Sequence, residues 1–246
     1  MKQTTFEEFV ELSRRGTFVP IVKEVIADLL TPVSAFLKIA EHSDYAFLFE
    51  SVEGGERVAR YSFLGKDPFL VLKAREGKTV IDRSGVTSES DQPFMEALRR
   101  LMAEFRSPYV PGLPRFTGGA VGVISYDAAP AFEPVLQQAW SSARWSRERP
   151  VDDDAGFMLF DTVLAFDHVK HRILIIANAR ITADEDLEAL YQFACAKIQF
   201  LERELERGLS QPEHVDRPAP EVRSNLSRDT FEAGVRTIKE HIAAGD

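Results

Sequence analysis

The sequence predicts an α+β fold in which antiparallel β-sheets carry helices on their outer faces. Three observations predict it. Aromatic and apolar runs come in pairs across short polar turns, at Tyr45–Val52 with Arg57–Leu64 and at Gly156–Phe166 with Arg172–Ala179. Segments with apolar residues at i, i+3 and i+4 read as amphipathic helices, Asp91–Phe105 and Asp184–Leu205 most clearly. The 246 residues are 44% hydrophobic and 28% charged, enough apolar material for a sizeable core and too much for a disordered chain.

Taken in order, the first element is a helix. Thr4 or Thr5 caps it, Phe6, Phe9, Val10 and Leu12 mark one face, and Gly16 is its expected end. Thr31-Pro32 starts a second helix, because threonine caps and proline needs no donor in the first turn. Val33, Phe36, Leu37 and Ala40 form its expected buried face. The first strand pair follows, turning through Glu53-Gly54-Gly55-Glu56. Phe69–Ala74 extends the sheet, and Glu76-Gly77-Lys78 turns it into Thr79-Val80-Ile81. In the helix over Asp91–Phe105, the inward residues are Phe94, Ala97, Leu98, Leu101, Met102 and Phe105. Pro108, Pro111 and Pro114 then force an extended segment.

Arg115–Tyr126 reads as a buried strand containing Gly118, Gly119 and Gly122. The second pair turns through Asp167–His171, and the helix over Asp184–Leu205 turns Leu187, Leu190, Tyr191, Ala194, Ile198 and Leu201 inward. Prolines 212, 218 and 220 among charges mark a linker over residues 208–223. A last helix, started by Ser227 or Asp229, carries the stripe Phe231, Val235, Ile238 and Ile242. A stripe of that kind has to bury against something, which suggests the front part of a longer polypeptide or a helix docked back on its own domain.

Composition excludes some functions. With 30 Lys+Arg against 39 Asp+Glu the net charge is −9, which argues against nucleic acid and anionic membranes as partners. No apolar run reaches membrane-spanning length, and the N-terminus carries Glu7 and Glu8 where a signal peptide would be apolar. A cytoplasmic location is expected. The one cysteine, Cys195, cannot form an internal disulfide and reads as a core residue.

Several possible sites read as structure. The glycines of Gly118–Gly122 precede Val123-Ile124, not a helix N-terminus, so they read as points of close approach and not a phosphate cradle. His168 and His171 read as a solvated turn, Asp152-Asp153-Asp154 as a solvated loop, and Ser51, Ser62 and Ser125 lack the His-Asp partners of a hydrolase. No catalytic or metal-ligating residue is assigned. The first hairpin is different. A turn symmetric about Gly54-Gly55 sets Ser51 opposite Val58 and Phe49 opposite Arg60, with Ser51 and Arg60 diagonal on one face and Glu50 and Tyr61 on the other. A zwitterionic amino acid needs an acceptor, a donor and apolar walls, and these residues supply those types.

The same residues carry a resemblance. Phe49-Glu50-Ser51, Glu53-Gly54-Gly55-Glu56-Arg57 and Arg60-Tyr61-Ser62-Phe63-Leu64-Gly65 resemble the N-terminal half of component I of anthranilate synthase, with Phe49 where the family motif has leucine. Asp28-Leu29-Leu30-Thr31-Pro32-Val33-Ser34, Phe116-Thr117-Gly118-Gly119 through Ser125-Tyr126-Asp127, Phe160-Asp161-Thr162-Val163 and Phe166-Asp167-His168 resemble further family segments in the same order. Phe231–Asp246 resembles the first helix of the chorismate-binding half.

The resemblance implies conversion of chorismate to anthranilate and pyruvate in tryptophan biosynthesis, with ammonia from a glutamine amidotransferase subunit (component II). It implies feedback inhibition by L-tryptophan at a site including Glu50 and Ser51, with Phe49, Arg60, Tyr61 and Ser62. Residues 1–207 are then the regulatory domain, 208–223 a linker, and 224–246 the first helix of the catalytic domain. Magnesium is implied for the full-length enzyme, with its ligands outside this chain, and the chain alone is expected to be inactive. Two other readings stay open: the related aminodeoxychorismate synthase component I of folate synthesis, and a noncatalytic tryptophan-binding module. The Glu53–Arg57 turn and the Phe166-Asp167-His168 segment favour anthranilate synthase over the folate enzyme.

Overall fold

Local signals set the first helices. In the computed structural model, Thr5 closes a capping box with Glu8 at the start of α1 (Phe6–Ser13). Thr31 does the same with Ser34 at α2 (Pro32–Ile39), with Pro32 in its first turn. The structure describes residues 3–50, 60–75, 78–83, 85–133, 135–136, 154–182, 185–209 and 224–245. The Gly54-Gly55 turn, Ser51, Glu76-Gly77, Asp152-Asp153 and residues 210–223 of the linker over 208–223 lie outside the described residues.

Among the described residues ten strands follow or flank these helices: β1 (Phe18–Ile26), β2 (Ala46–Phe49), β3 (Tyr61–Lys66), β4 (Leu70–Arg75), β5 (Lys78–Arg83), β6 (Val86–Ser90), β7 (Gly119–Ile124), β8 (Ala155–Phe160), β9 (Thr162–Asp167) and β10 (Arg172–Arg180). Among the described residues there are also the α-helices α3 (Phe94–Ala103), α4 (Leu187–Glu206) and α5 (Arg228–Ala244), and a short 3-10 helix over Tyr126–Ala131. The strands form two antiparallel sheets, ordered β1-β10-β9-β3-β2 and β6-β5-β4-β8-β7. This is the expected α+β arrangement.

Two compact units divide the chain, Met1–Ser210 and Gln211–Asp246. In the first unit β10 is covered on both faces, so it reads as an unbroken apolar run. Ile173, Ile175, Ala177 and Ala179 pack with Phe9, Ile39, Ile198 and Leu201 of the helices. Leu174 and Ile176 face Phe160 and Val121 of the other sheet. Helix α3 covers that second sheet through Ala97, Leu98 and Leu101 against Leu70, Leu72 and Leu159. In the second unit α5 is capped by Ser227 and closed by left-handed Gly245, and its apolar residues Phe231, Val235, Ile238 and Ile242 are exposed.

Several expectations need correction. Helix α1 ends at Arg14 and not at Gly16, whose hydrogens instead face the Arg106 carbonyl and Pro108, where a side chain would collide. Strands β1 and β6 go beyond the elements the sequence pattern predicts. The buried face of α2 is Pro32, Ala35 and Ile39, with Val33 and Leu37 exposed, because its register is set by packing on β3 and α4. Strand β7 is an edge strand with Val123 and Ile124 exposed, not a buried one. The run Gly156–Phe166 is two strands in different sheets, and the chain passes between them at Asp161.

That crossing is pinned by Asn178. Its backbone N–H donates to the Asp161 carbonyl at 2.7 Å, and its side-chain amide donates to the Thr117 and Asp161 carbonyls at 2.7 and 3.0 Å. Gly118 sits against it at φ +146°, where a Cβ would stand 2.6 Å from the amide nitrogen. The reading of this glycine as a point of close approach therefore holds.

Candidate functional site

The first hairpin is antiparallel, but its register differs from the symmetric-turn expectation. Phe49 lies opposite Phe63, not Arg60, a shift of three residues along the return strand. An odd shift exchanges faces. Phe49 and Tyr61 therefore share the face that looks toward the second sheet. Ser62 lies on the opposite face, buried, with its hydroxyl 2.8 Å from His168 Nε2.

The shared face carries a chain of aromatic rings. Fully buried Phe160 touches Phe47 with centroids 4.9 Å apart, and Phe47 touches Phe49 at 5.2 Å and Phe116 at 6.2 Å. Phe116 meets Phe63 edge-on at 5.3 Å, and Phe63 meets Tyr61 at 5.9 Å. The chain runs from the core to an open end, where Phe49 is 54% exposed and Tyr61 half-buried. Glu50, exposed, follows Phe49 directly. Such rings offer flat apolar walls with polarised edges.

Beside the open end lies a row of charges across four neighbouring strands. Arg60 grips Asp167 with two parallel bonds, Nε to Oδ1 at 3.1 Å and Nη2 to Oδ2 at 2.9 Å. Arg172 reaches the same carboxylate at 3.5 Å and Glu24 at 2.5 Å. The Arg60 guanidinium also lies 4.8 Å from the Tyr61 ring centroid. The turn is laced to the strand by His168 N–H donating to the Arg60 carbonyl at 3.0 Å. Asp167 and His168 are thus partners of Arg60 and Ser62. The sequence signal for this is the pair of motifs Arg60-Tyr61-Ser62 and Phe166-Asp167-His168, which nothing local in the sequence links.

Burial alone would push the Asp167 carboxyl up, but hydrogen bonds from Arg60, its charge, the Lys170 amide and Arg172 together hold it below the usual carboxylate range. Burial keeps the Tyr61 phenol above its ordinary range and neutral. A depressed carboxyl contributes stability that is complete above its unfolded value near ~4 and is lost as pH falls through the folded value. Thermal unfolding of the chain is therefore expected to hold from neutral pH and fall steeply in acid, and Asp167→Asn is expected to flatten that fall. The same acid slope in both proteins would contradict the assignment.

Among the described residues, no group of three His, Cys, Asp or Glu side chains could hold a metal ion. Also among them, no helix is long and apolar enough to cross a membrane.

Residues 44–246 match the family described as chorismate binding enzyme. The chain belongs to that family. This chorismate-binding family member is 34% identical to anthranilate synthase component 1 of Acetivibrio thermocellus, over 98% of this chain and 49% of that protein. It is 35% identical to the Synechocystis sp. protein of the same name, over 98% and 48% respectively. A crystal structure of anthranilate synthase component I from Streptococcus pneumoniae TIGR4 shares the fold, with TM-score 0.51 and 23% identity over 90% of this chain and 45% of that one. The chain spans about half the length of the curated relatives it matches.

Proposed function

We propose that this chorismate-binding family member is the N-terminal part of an anthranilate synthase component I, and that it carries the feedback site for L-tryptophan. The complete cytoplasmic enzyme converts chorismate to anthranilate and pyruvate with ammonia from a glutamine amidotransferase subunit. One observation supports the effector assignment above others. An open aromatic wall, Phe49 and Tyr61, carries a held guanidinium, Arg60, over the Tyr61 ring, and an exposed carboxylate, Glu50, follows Phe49 in the chain. Those groups match the indole, ammonium and carboxylate of tryptophan. The register keeps Ser62 on the other face, so its part is to hold the His168 turn.

In this reading residues 1–207 regulate, residues 208–223 connect, and α5 opens the chorismate-binding half with its exposed apolar stripe as core surface for that half. Magnesium belongs to that half, since among the described residues no group of three His, Cys, Asp or Glu side chains fits a metal. The role of this part is linkage. Tryptophan favours a state that binds chorismate poorly, so chorismate must weaken tryptophan equally, by a coupling of typically ~1–3 kcal/mol.

Ser51→Phe in the full-length enzyme is expected to raise the half-inhibiting tryptophan concentration by about 10- to 100-fold, the size of such a coupling. The uninhibited rate should be unchanged. An unaltered inhibition curve, measured with ammonia as donor, sinks the effector assignment. Rescue of a p-aminobenzoate auxotroph but not a tryptophan auxotroph would transfer the protein to folate synthesis.

A further inference from the structure

Arg60 stands just before the first residue of β3, where no ladder holds its side chain. What holds it is Asp167. The carboxylate is buried at the end of β9 and is itself fixed by the Lys170 N–H at 3.3 Å and by Arg172. Its two oxygens meet the guanidinium side-on, a fork geometry that fixes the plane as well as the position of the charge. The plane so fixed lies over Tyr61 at the open end of the aromatic chain.

The charges in this row alternate: Glu24, Arg172, Asp167, Arg60. They sum to zero. A neutral row does not draw a simple anion strongly, but it can take one end of a zwitterion whose ammonium is met elsewhere. Glu50 is the acceptor available nearby in the chain.

We propose that Asp167 is the positioning residue of the effector site, aiming the Arg60 guanidinium across Tyr61 at the carboxylate of an aromatic amino acid. This rests on the effector reading above. Asp167 touches no ligand and acts through Arg60. Without it, Arg60 has several rotamers, and each binding event must select one. Effector affinity then falls while catalysis, located in the other half, does not.

The test uses the full-length polypeptide with ammonia as donor and L-tryptophan as the probe. Asp167→Asn, close to isosteric, is expected to raise the half-inhibiting tryptophan concentration about tenfold, as loss of a held charge contact does. kcat and KM for chorismate should stay within about twofold, which a general loss of fold would not allow. Arg60→Ala should do at least as much, and the double variant no more than Arg60→Ala alone. Asp167→Glu should recover part of the loss. If Asp167→Asn leaves inhibition unchanged while Arg60→Ala weakens it, or if the two effects simply add, the positioning role is wrong. If neither acts while Ser51→Phe relieves inhibition, Arg60 is not at the effector. If Ser51→Phe also fails, the effector reading itself fails and takes this proposal with it.

Discussion

Replacing Gly122 with alanine is expected to destabilise this chain by about 3 kcal/mol, the upper end of ordinary overpacking. For a chain of this size that lowers the unfolding midpoint by roughly 6–12 °C. The reason is space, not backbone conformation. Gly122 lies opposite Phe157 in the β7–β8 ladder. A Cβ there would overlap the Gly156 carbonyl oxygen and stand 2.7 Å from both Cα and Cγ of Phe157. Two of those three atoms are backbone, so no rotamer change relieves the clash. Strand β7 would have to separate from β8, and with it Val121, which is buried between the sheets.

Gly156, one rung along the same ladder, is the internal control. A Cβ there meets nothing within 4 Å. Gly156→Ala is expected to be neutral or to stabilise by about 0.4–1 kcal/mol through the unfolded chain. Thermal unfolding by circular dichroism compares the three proteins. Equal midpoints for Gly122→Ala and the parent would overturn this account of the glycine-rich strand.

The contrast shows what was legible in the sequence. The starts of α1 and α2 were, because a cap is a local arrangement: Thr5 with Glu8 and Thr31 with Ser34 lie within one turn. The inward residues of α3 and α4 were, because period is local too. Strand β1 was not. Pro20 and the charges Lys23 and Glu24 break the alternation that marks a strand, and they are tolerated because β1 is an edge. Its partner β10 begins about 150 residues away, with Phe18 opposite Arg180.

The break at Asp161 was equally hidden. Asp161 and Thr162 are the only polar residues within Phe157–Phe166, and a single charged residue between two apolar runs does not by itself signal a change of sheet. The candidate site was half legible. Phe49, Glu50, Arg60 and Tyr61 suit an amino-acid ligand by type, and type does not report register. Fixing Phe49 opposite Phe63 needed the ladder itself. Asp167 belongs to the Phe166-Asp167-His168 motif, but its partner Arg60 is 107 residues earlier, and no local pattern links the two.

The second large effect is expected at the Asp161 crossing. Lys197 Nζ lies 2.8 Å from both Asp161 oxygens, and the Thr162 hydroxyl donates to one of them at 2.9 Å. Arg180 stands further off at 3.7 Å. The carboxylate is 7% exposed and the lysine 29%. That difference decides which partner can be removed safely. Lys197→Met leaves a buried carboxylate without its main partner and is expected to cost about 3 kcal/mol. Asp161→Asn leaves an ammonium on a long stem that can turn to water, and is expected to cost about 1 kcal/mol. The double variant buries a neutral amide beside a thioether and should recover most of the Lys197→Met loss, because the uncompensated charge is gone. Urea denaturation of the four proteins gives the coupling directly. If the single costs simply add, the pair contributes nothing specific, and the crossing is held by Asn178 and its carbonyl bonds alone.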